Sequence, residues 1–399
     1  MHIAFVTPES PYGDESVCGV AAYLRAIVPA VADAGHDVTV IANAKEPKSF
    51  TAEDGRVAVR HFRLPSRHWY SAKLPLVKAY VPLPLRQFEW SRAFYREAAR
   101  VAAQRKIDVI ESTEAGSLFL NRVAPLVIRL HGSERTFRQH SGLPLTPSVR
   151  CNDWLEAIAS KRASAITSPS EFHANEMTRR RGWPDGQVRV IPNPISQTLV
   201  NAATAFHRNG NSERIVLYTG RLSPVKGIQT LLDAAKLVRA SDPTVTFVLA
   251  GPWQMPMPPH SYGLTLNQQS VFGVRWIGPI EHKALFDWYR RAALFVMPSF
   301  YESFGISVLE AMAFGLPTVC TRVGSAADAC SAEKTNAVVE AGNPQQLAAA
   351  VTQLLNDSKM RLALGSGARN HILQELSPAE IVRRNLSLYG ECAHLSGRN

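Results

Sequence analysis

Short apolar runs that favour β-strands alternate with segments of helical periodicity along this chain, and the series occurs twice. This alternation is typical of parallel sheets covered by helices. Strands are predicted at 2–7, 38–42, 57–62, 109–111, 126–130, 165–167, 188–191, 215–219, 245–250, 274–277, 294–297 and 318–320. Helices are predicted at 20–34, 87–104, 153–162, 171–181, 228–240, 282–292, 307–314 and from about 344 onward.

A polar stretch separates the two series, and 399 residues are too many for one ordinary core. We therefore predict a first α/β domain over 1–200, a linker over 201–212 and a second α/β domain over 213–380. A C-terminal helix over 381–399 is predicted to pack back toward the first domain. A ligand is expected between two such domains, beyond the carboxyl ends of the strands.

The amino-acid composition limits the classes of protein to which the chain can belong. Hydrophobic residues are 46% of the chain, enough for two cores. Its five cysteines are widely spaced and form no Cys-x-x-Cys pair, which argues against a disulfide framework or a zinc site. The N-terminus shows no charged leader, and no run of about 18 apolar residues occurs. A cytoplasmic protein without a spanning helix is predicted.

The net charge of +11 is concentrated in one segment. Residues 56–106 hold 12 Lys or Arg and 2 Asp or Glu. Trp69, Tyr70, Tyr80, Phe88 and Trp90 lie among these charges. An ordinary solvated helix face is one interpretation. The other is peripheral contact with an anionic membrane at its cytosolic face, or with an anionic acceptor. Nucleic-acid binding is not expected, because no recognisable binding motif accompanies the charge.

The segment 298–317 carries the densest set of candidate binding groups. It follows a predicted buried strand, turns at Gly305 and enters a helix that ends at Gly315. The free N–H groups and the dipole at that helix start favour an anion. Glu302 and Glu310 offer carboxylates to a hydroxyl-rich ligand. A helix cap at Glu302 and a solvated Glu310 are the structural alternatives.

A second segment, 218–228, ends a predicted strand at Gly220 and carries Arg221 and Lys226 on the following turn. Together these cations could neutralise a diphosphate as it becomes a leaving group. Two ordinary surface cations on a turn are the alternative.

These two segments resemble the retaining glycosyltransferases of the GT-B fold, specifically family 4. The first has a Glu, seven residues and a second Glu in a Phe-Gly…Glu-Ala-Met-Ala…Gly…Pro context, and the second has Gly-Arg…Lys-Gly. Val225 departs from the pattern, since many members carry Glu there. The resemblance spans nearly the whole chain and is loosest over 45–106, where acceptor specificity is usually set. It implies two Rossmann-like domains facing across a cleft.

The resemblance also implies roles for residues. Glu302 would contact hydroxyls of the donor sugar and Glu310 those of the ribose. Backbone N–H groups near Gly305 would meet the diphosphate or sugar, and the strand containing Ile277 would lie beside the base. The implied catalytic residues are Glu302, His131, Arg221 and Lys226. The implied donor-binding residues are Gly19, Arg221, Lys226, Ile277, Phe304, Gly305, Ile306 and Glu310. No obligatory metal or other cofactor is expected, because cations and helix N–H groups carry the diphosphate charge.

Three groups in the first half complete the predicted site. A lone His at a strand end is more often structural, but many relatives have a His-Gly here. We therefore predict that His131 lies near the transferred sugar and orients it or assists charge balance, without assigning it as a general base. Gly19 opens the first helix and offers N–H groups to a phosphate, although Cys18 replaces the first of two glycines usual in the family. Glu114 and Gly116 are predicted to face the acceptor.

The resemblance implies a retaining hexosyltransferase that uses a UDP- or GDP-sugar. The acceptor would be a hydroxyl of a glycan, a lipid-linked precursor or a small molecule, in cell-envelope polysaccharide or glycoconjugate synthesis. Dehydrogenases and P-loop enzymes are disfavoured, because neither Gly-x-Gly-x-x-Gly after the first strand nor Gly-x-x-x-x-Gly-Lys-Ser/Thr occurs. A non-catalytic nucleotide-sugar or anionic-surface binding protein of the same fold is the alternative.

Overall fold

The computed structural model describes residues 1–12, 19–64, 82–208, 213–270, 272–330 and 336–395. The chain divides into two compact units. The first comprises Met1–Pro194 with Pro378–Asn399, and the second comprises Ile195–Ser377. The division thus falls six residues before the predicted end of the first domain.

The first unit is built on a sheet whose strands, within the described residues, run in the order β3-β4-β2-β1-β5-β6-β7-β8. They are β1 (His2–Thr7), β2 (Asp37–Asn43), β3 (Lys48–Ala52), β4 (Val57–Phe62), β5 (Val109–Thr113), β6 (Leu126–Arg129), β7 (Ala165–Ser168) and β8 (Val188–Val190). Neighbours are parallel except β3 and β4, which pair antiparallel. Each residue of β1, β5 and β6 is buried, as expected for strands covered on both faces.

Five helices of this unit precede the division. They are α1 (Gly19–Asp33), α2 (Pro82–Gln104), α3 (Glu134–His140), α4 (Pro147–Lys161) and α5 (Glu171–Arg181). The hydroxyls of Ser133, Thr146 and Ser170 cap the N-termini of α3, α4 and α5. Each cap fixes the residue at which its helix begins, directly after a strand end or loop.

The second unit repeats the design with a fully parallel sheet in the order β11-β10-β9-β12-β13-β14, again within the described residues. Its strands are β9 (Ile215–Thr219), β10 (Thr246–Ala250), β11 (Val274–Gly278), β12 (Leu294–Met297), β13 (Thr318–Thr321) and β14 (Ala337–Val339). Its helices are α6 (Gln197–Thr204), α7 (Ile228–Ser241), α8 (His282–Arg291), α9 (Ile306–Ala313), α10 (Ser325–Cys330), α11 (Pro344–Asn356) and α12 (Ser358–Glu375).

The last helix, α13 (Pro378–Leu395), belongs to the first unit. The Tyr389 hydroxyl on α13 donates a hydrogen bond of 2.6 Å to one carboxylate oxygen of Glu111 on β5. The Tyr23 hydroxyl on α1 donates to the other at 2.7 Å. This buried carboxylate therefore ties both helices to the sheet.

The structure differs from the predictions at the linker and contains short elements that were not predicted, including α6, α10 and β14. The predicted linker begins inside α6, and its last residues, 209–212, lie outside the described residues. The sequence analysis missed β3, whose residues are mostly exposed and lack apolar alternation. It also missed α3, a helix of seven residues that is too short for a periodic signal. Within the described residues, every helix is too short or too polar to cross a lipid bilayer.

Candidate active site

The carboxyl ends of the parallel strands of the second sheet share one edge, and the predicted donor-binding residues other than Gly19 lie at or after these ends. Gly220, after β9, donates its N–H to the Ala250 carbonyl of β10 at 2.9 Å. Gly251, after β10, donates to the Gly278 carbonyl of β11 at 2.8 Å. Arg221 and Ile277 are therefore both placed at this edge.

Gly227 fixes the turn that carries Lys226. Its φ is +69°, in the left-handed region, and a Cβ there would lie 1.9 Å from the Pro298 carbonyl oxygen. The Phe300 N–H also donates to the Val225 carbonyl at 2.8 Å. These contacts join the turn after β9 to the loop after β12, so the two predicted segments lie side by side.

The contact between the turn after β9 and the loop after β12 brings two predicted catalytic residues into an ion pair. Lys226 Nζ lies 2.6 Å from Glu302 Oε2, and their side chains are 16% and 10% exposed. The Ser299 hydroxyl donates to the other oxygen, Oε1, at 2.8 Å. Val225, the residue before the lysine, is buried and uncharged, and the ion pair with Glu302 holds the lysine side chain.

Glu310 is held at both carboxylate oxygens by residues that the sequence analysis did not select. The Tyr289 hydroxyl donates to Oε2 at 2.9 Å, and His282 Nε2 lies 2.6 Å from Oε1. Tyr289 also lies 3.1 Å from the Thr219 hydroxyl at the end of β9. Burial, and then the Glu310 charge, raises the pKa of Tyr289, so its hydroxyl keeps the proton that it donates.

The start of α9 is shaped by glycines rather than by a side-chain cap. Gly305 precedes the helix with φ +88°, and no side chain caps it. Gly324 packs against the same loop, since a Cβ there would lie 2.7 Å from the Phe304 carbonyl oxygen. The Ser325 N–H donates to that oxygen at 2.7 Å. The backbone at Phe304, Gly305 and Ile306 is thus fixed, and a helix start of this kind suits an anion.

Arg221 lies on an exposed turn next to the buried Tyr218. The Tyr218 hydroxyl donates to the Arg221 carbonyl at 2.8 Å. Burial raises the pKa of Tyr218, the Glu302 charge raises it further, and the Arg221 charge opposes both. The charges of Arg221 and Glu302 therefore shift the pKa of the same buried hydroxyl in opposite directions.

In the first unit, His131 follows β6 and packs its ring against that of Tyr23, with centroids 5.5 Å apart. Burial, together with the charges of Arg129 and His173, lowers the pKa of His131 to about 3. The ring is therefore neutral near pH 7. A neutral imidazole has one nitrogen that donates a hydrogen bond and one that accepts it.

Glu114 holds the backbone at His131, and its own carboxylate is incompletely paired. Its Oε2 accepts the His131 N–H at 3.2 Å. Among the described residues, no group forms a hydrogen bond with its Oε1, although the side chain is buried. Burial raises the pKa of Glu114. An orphaned buried oxygen of this kind is costly in a protein interior, and such atoms mark candidate ligand contacts.

Charged side chains from α3, α4 and α5 form a network around Asp153. Arg180 and Arg181 both donate to Asp153 Oδ1, at 3.1 and 3.0 Å, and Arg135 donates to its Oδ2 at 2.9 Å. Burial and the nearby Glu114 raise the pKa of Glu156 to about 8. The sequence analysis missed this network, because its members come from three separate helices.

Two predicted glycines have local structural roles. A Cβ at Gly116 would lie 2.6 Å from the Phe94 ring, and the Gly116 N–H donates to Gln87. Gly116 is thus explained by packing against α2. Gly19 begins α1 and is exposed, whereas the loop before it, 13–18, lies outside the described residues. Within the described residues, His, Cys, Asp and Glu side chains form no group of three that could hold a metal ion.

Two family models match almost the whole chain. The one described as Glycosyltransferase Family 4 matches residues 17–199, and the one described as Glycosyl transferases group 1 matches residues 202–371. The chain belongs to glycosyltransferase family 4. It is an enzyme of the GT-B fold, as the resemblance predicted.

Similar proteins extend over both units of this glycosyltransferase. A D-inositol 3-phosphate glycosyltransferase of Jonesia denitrificans is 25% identical over 396 residues, covering 92% of this chain and 90% of the relative. Sucrose-phosphate synthase of Thermosynechococcus elongatus has a TM-score of 0.74 at 22% identity, covering 98% of each chain. HepE of Anabaena, solved in complex with UDP-glucose, has a TM-score of 0.68 at 18% identity, covering 98% of this chain and 100% of that one. At such identities the solved structures show the fold alone.

Proposed function

We propose that this chain is a retaining glycosyltransferase that moves a sugar from a UDP- or GDP-sugar to an acceptor hydroxyl. The acceptor class is a glycan, a lipid-linked precursor or a small metabolite, and the setting is cell-envelope polysaccharide or glycoconjugate synthesis in the cytoplasm. The observation that carries the proposal is the Lys226–Glu302 ion pair at the carboxyl edge of the second sheet.

The donor would be held by groups of opposite charge along that edge. Glu310, fixed by Tyr289 and His282, offers a carboxylate to the vicinal hydroxyls of a ribose. Lys226, Arg221 and the N–H groups at the start of α9 offer positive charge to a diphosphate. Support for a nucleotide-sugar donor also comes from HepE, which was solved with UDP-glucose.

Bond cleavage would build negative charge on the departing diphosphate. Cations that are already positioned stabilise this charge without reorganising as the bond breaks. We place Lys226 and Arg221 in this role, which requires no metal ion. Glu302 would orient Lys226 and accept hydrogen bonds from hydroxyls of the donor sugar.

Retention of configuration would follow from attack on the face that the diphosphate leaves. In that route the sugar passes through an oxocarbenium-like state, and a departing phosphate oxygen takes the acceptor proton. A neutral His131 would orient the transferred sugar through hydrogen bonds. The anomeric configuration of the product, read by NMR, tests this step, and an inverted product would overturn it.

A panel of UDP- and GDP-sugars tests the donor. Ligand at 100 times its dissociation constant adds about 2.7 kcal/mol to stability, so the true donor should raise the melting temperature clearly. The same donor should release nucleotide, and Glu302→Gln should slow the release by about 10²–10³-fold. A thermal shift without release from any donor would instead identify a non-catalytic binding protein. No shift with the whole panel would reject the proposed donor class.

A further inference from the structure

The basic segment 56–106 is less uniformly positive in the structure than in the sequence. Several of its cations lie next to carboxylates outside or inside the segment. These pairs are Arg56–Asp33, Arg60–Glu97, Arg100–Glu97, Arg105–Asp37 and Lys106–Asp108. Trp69, Tyr70 and Tyr80 lie outside the described residues. Arg63, Arg86, Arg92 and Arg96 are the described cations of the segment outside these pairs, and the last two lie on one surface.

That surface is the exposed side of α2. Phe88, Arg92 and Arg96 are spaced four residues apart, so they lie along one face of the helix. All three are exposed, and Phe88 is 47% exposed. Within the described residues, no carboxylate forms a salt bridge with Arg92 or Arg96. The face thus combines cations without acidic partners and an accessible aromatic ring.

A short 3₁₀ helix, Leu120–Arg122, extends this face. The Phe88 and Phe119 rings meet edge to face with centroids 5.4 Å apart. The Arg122 guanidinium lies 5.3 Å from the centroid of the Phe119 ring. We call Phe88, Arg92, Arg96, Phe119 and Arg122 the cationic-aromatic face.

Arg122 also lines a cavity of about 770 Å³, and other basic residues of this cavity extend the positive charge beyond the face. Lys106 and Arg162 also line it, with Asp108 as its carboxylate. Asp108 already accepts the His2 N–H at 2.8 Å and lies 3.4 Å from Lys106 Nζ. The cavity therefore keeps a net positive lining beside the face.

We propose that the cationic-aromatic face docks onto an anionic lipid bilayer. Arginines next to exposed aromatic rings match the polar and apolar layers of a membrane surface, where each cation near anionic headgroups contributes about 1 kcal/mol. An exposed apolar ring distinguishes this face from a purely electrostatic site for nucleic acid. The docking goes beyond the proposed function, since it needs no sugar transfer.

Co-sedimentation with vesicles tests the proposal. The protein should bind vesicles of phosphatidylcholine mixed with phosphatidylglycerol, should not bind phosphatidylcholine alone, and should dissociate as salt is raised. Arg92→Glu with Arg96→Glu should weaken binding roughly tenfold or more, and Phe88→Ser roughly fivefold. The matched control is Arg150→Glu with Arg179→Glu, which reverses two exposed arginines on other helices of the same unit and should bind like the parent.

Circular dichroism and nucleotide release from the donor separate docking from folding and catalysis, and both should be unchanged in every variant. Equal binding to neutral and anionic vesicles would overturn the proposal, as would equal losses in the test and control variants. Retention on duplex RNA without vesicle binding would also overturn it. If the parent protein turned over no donor, the proposed function would be rejected, whereas the docking result would be unaffected.

Discussion

The two units hold their candidate site residues in different ways. In the second unit, each carboxylate oxygen of Glu302 and Glu310 has a partner within 2.9 Å. In the first unit, Glu114 keeps one buried oxygen without a partner among the described residues, and the His131 ring is neutral. We infer that the second unit presents a formed, charged site, whereas the first leaves hydrogen-bonding capacity for a ligand to complete.

The largest effect is expected from Glu302→Gln. This change removes the charge that holds Lys226, and loss of one positioned electrostatic group costs about 10²–10³ in turnover. Steady-state kcat/KM with the identified donor measures it. The control is Glu281→Gln, an exposed glutamate that precedes α8 and makes no capping hydrogen bond. A variant that keeps its turnover would remove the ion pair from the mechanism.

A smaller effect is expected from Gly227→Ala, which forces a Cβ against the Pro298 carbonyl oxygen. The free energy of unfolding should fall by about 3 kcal/mol, because left-handed strain and a backbone clash add. Gly263→Ala is the control, since its φ is also +69° but its nearest neighbour is the Phe272 ring at 3.7 Å. That control should lose only about 1 kcal/mol by denaturant titration. Equal losses would show that the turn after β9 tolerates displacement.

Tyr289→Phe should weaken nucleotide binding about tenfold and change kcat little. It removes the hydrogen bond to Glu310 Oε2 while keeping the ring, and a hydrogen bond to a charged group is worth about 1.5–3 kcal/mol. Calorimetric titration with the nucleoside diphosphate measures the change, with Tyr262→Phe as the control. If the two variants bind equally, Glu310 does not need Tyr289 for its position.

The last prediction concerns the first unit, where the effect is small near neutral pH and appears on acidification. The folded protein holds the pKa of His131 at about 3, below the usual value near 6.5, so between these values the unfolded chain binds the additional proton. Stability should therefore fall as pH decreases from about 6.5 toward 3. In His131→Asn this dependence should be shallower by at most about 1.4 kcal/mol per pH unit.

Denaturant titrations at several pH values measure that slope, and exposed His207→Asn is the control. An unchanged slope in His131→Asn would mean that its ring gains a proton as easily in the folded as in the unfolded chain. The raised pKa of Glu156 acts in the opposite direction, since stability from that group decreases as pH rises toward about 8. The two slopes oppose each other between about pH 4.5 and 6.5, so His131 is read below that range and Glu156 above it.

Much of the fold could be predicted because strand periodicity is local. The predicted bounds of β1, β4, β9 and β12 match the structure, and those of the other predicted strands differ by one or two residues. Helix α2 was predicted to begin at residue 87 and begins at Pro82, because prolines at 82 and 84 do not look helical although a first turn accepts them. Short elements such as α3 were missed.

The sequence by itself determined the fold family and the residues of the donor-side segments, because motif spacing and apolar periodicity are properties of the chain alone. Only the tertiary structure decided their partners. Lys226 and Glu302 are 76 residues apart, and Glu310 is held by two residues on α8 that no motif marks. Parallel strands distant in sequence end at one edge of a sheet, so side chains meet there that no local pattern relates.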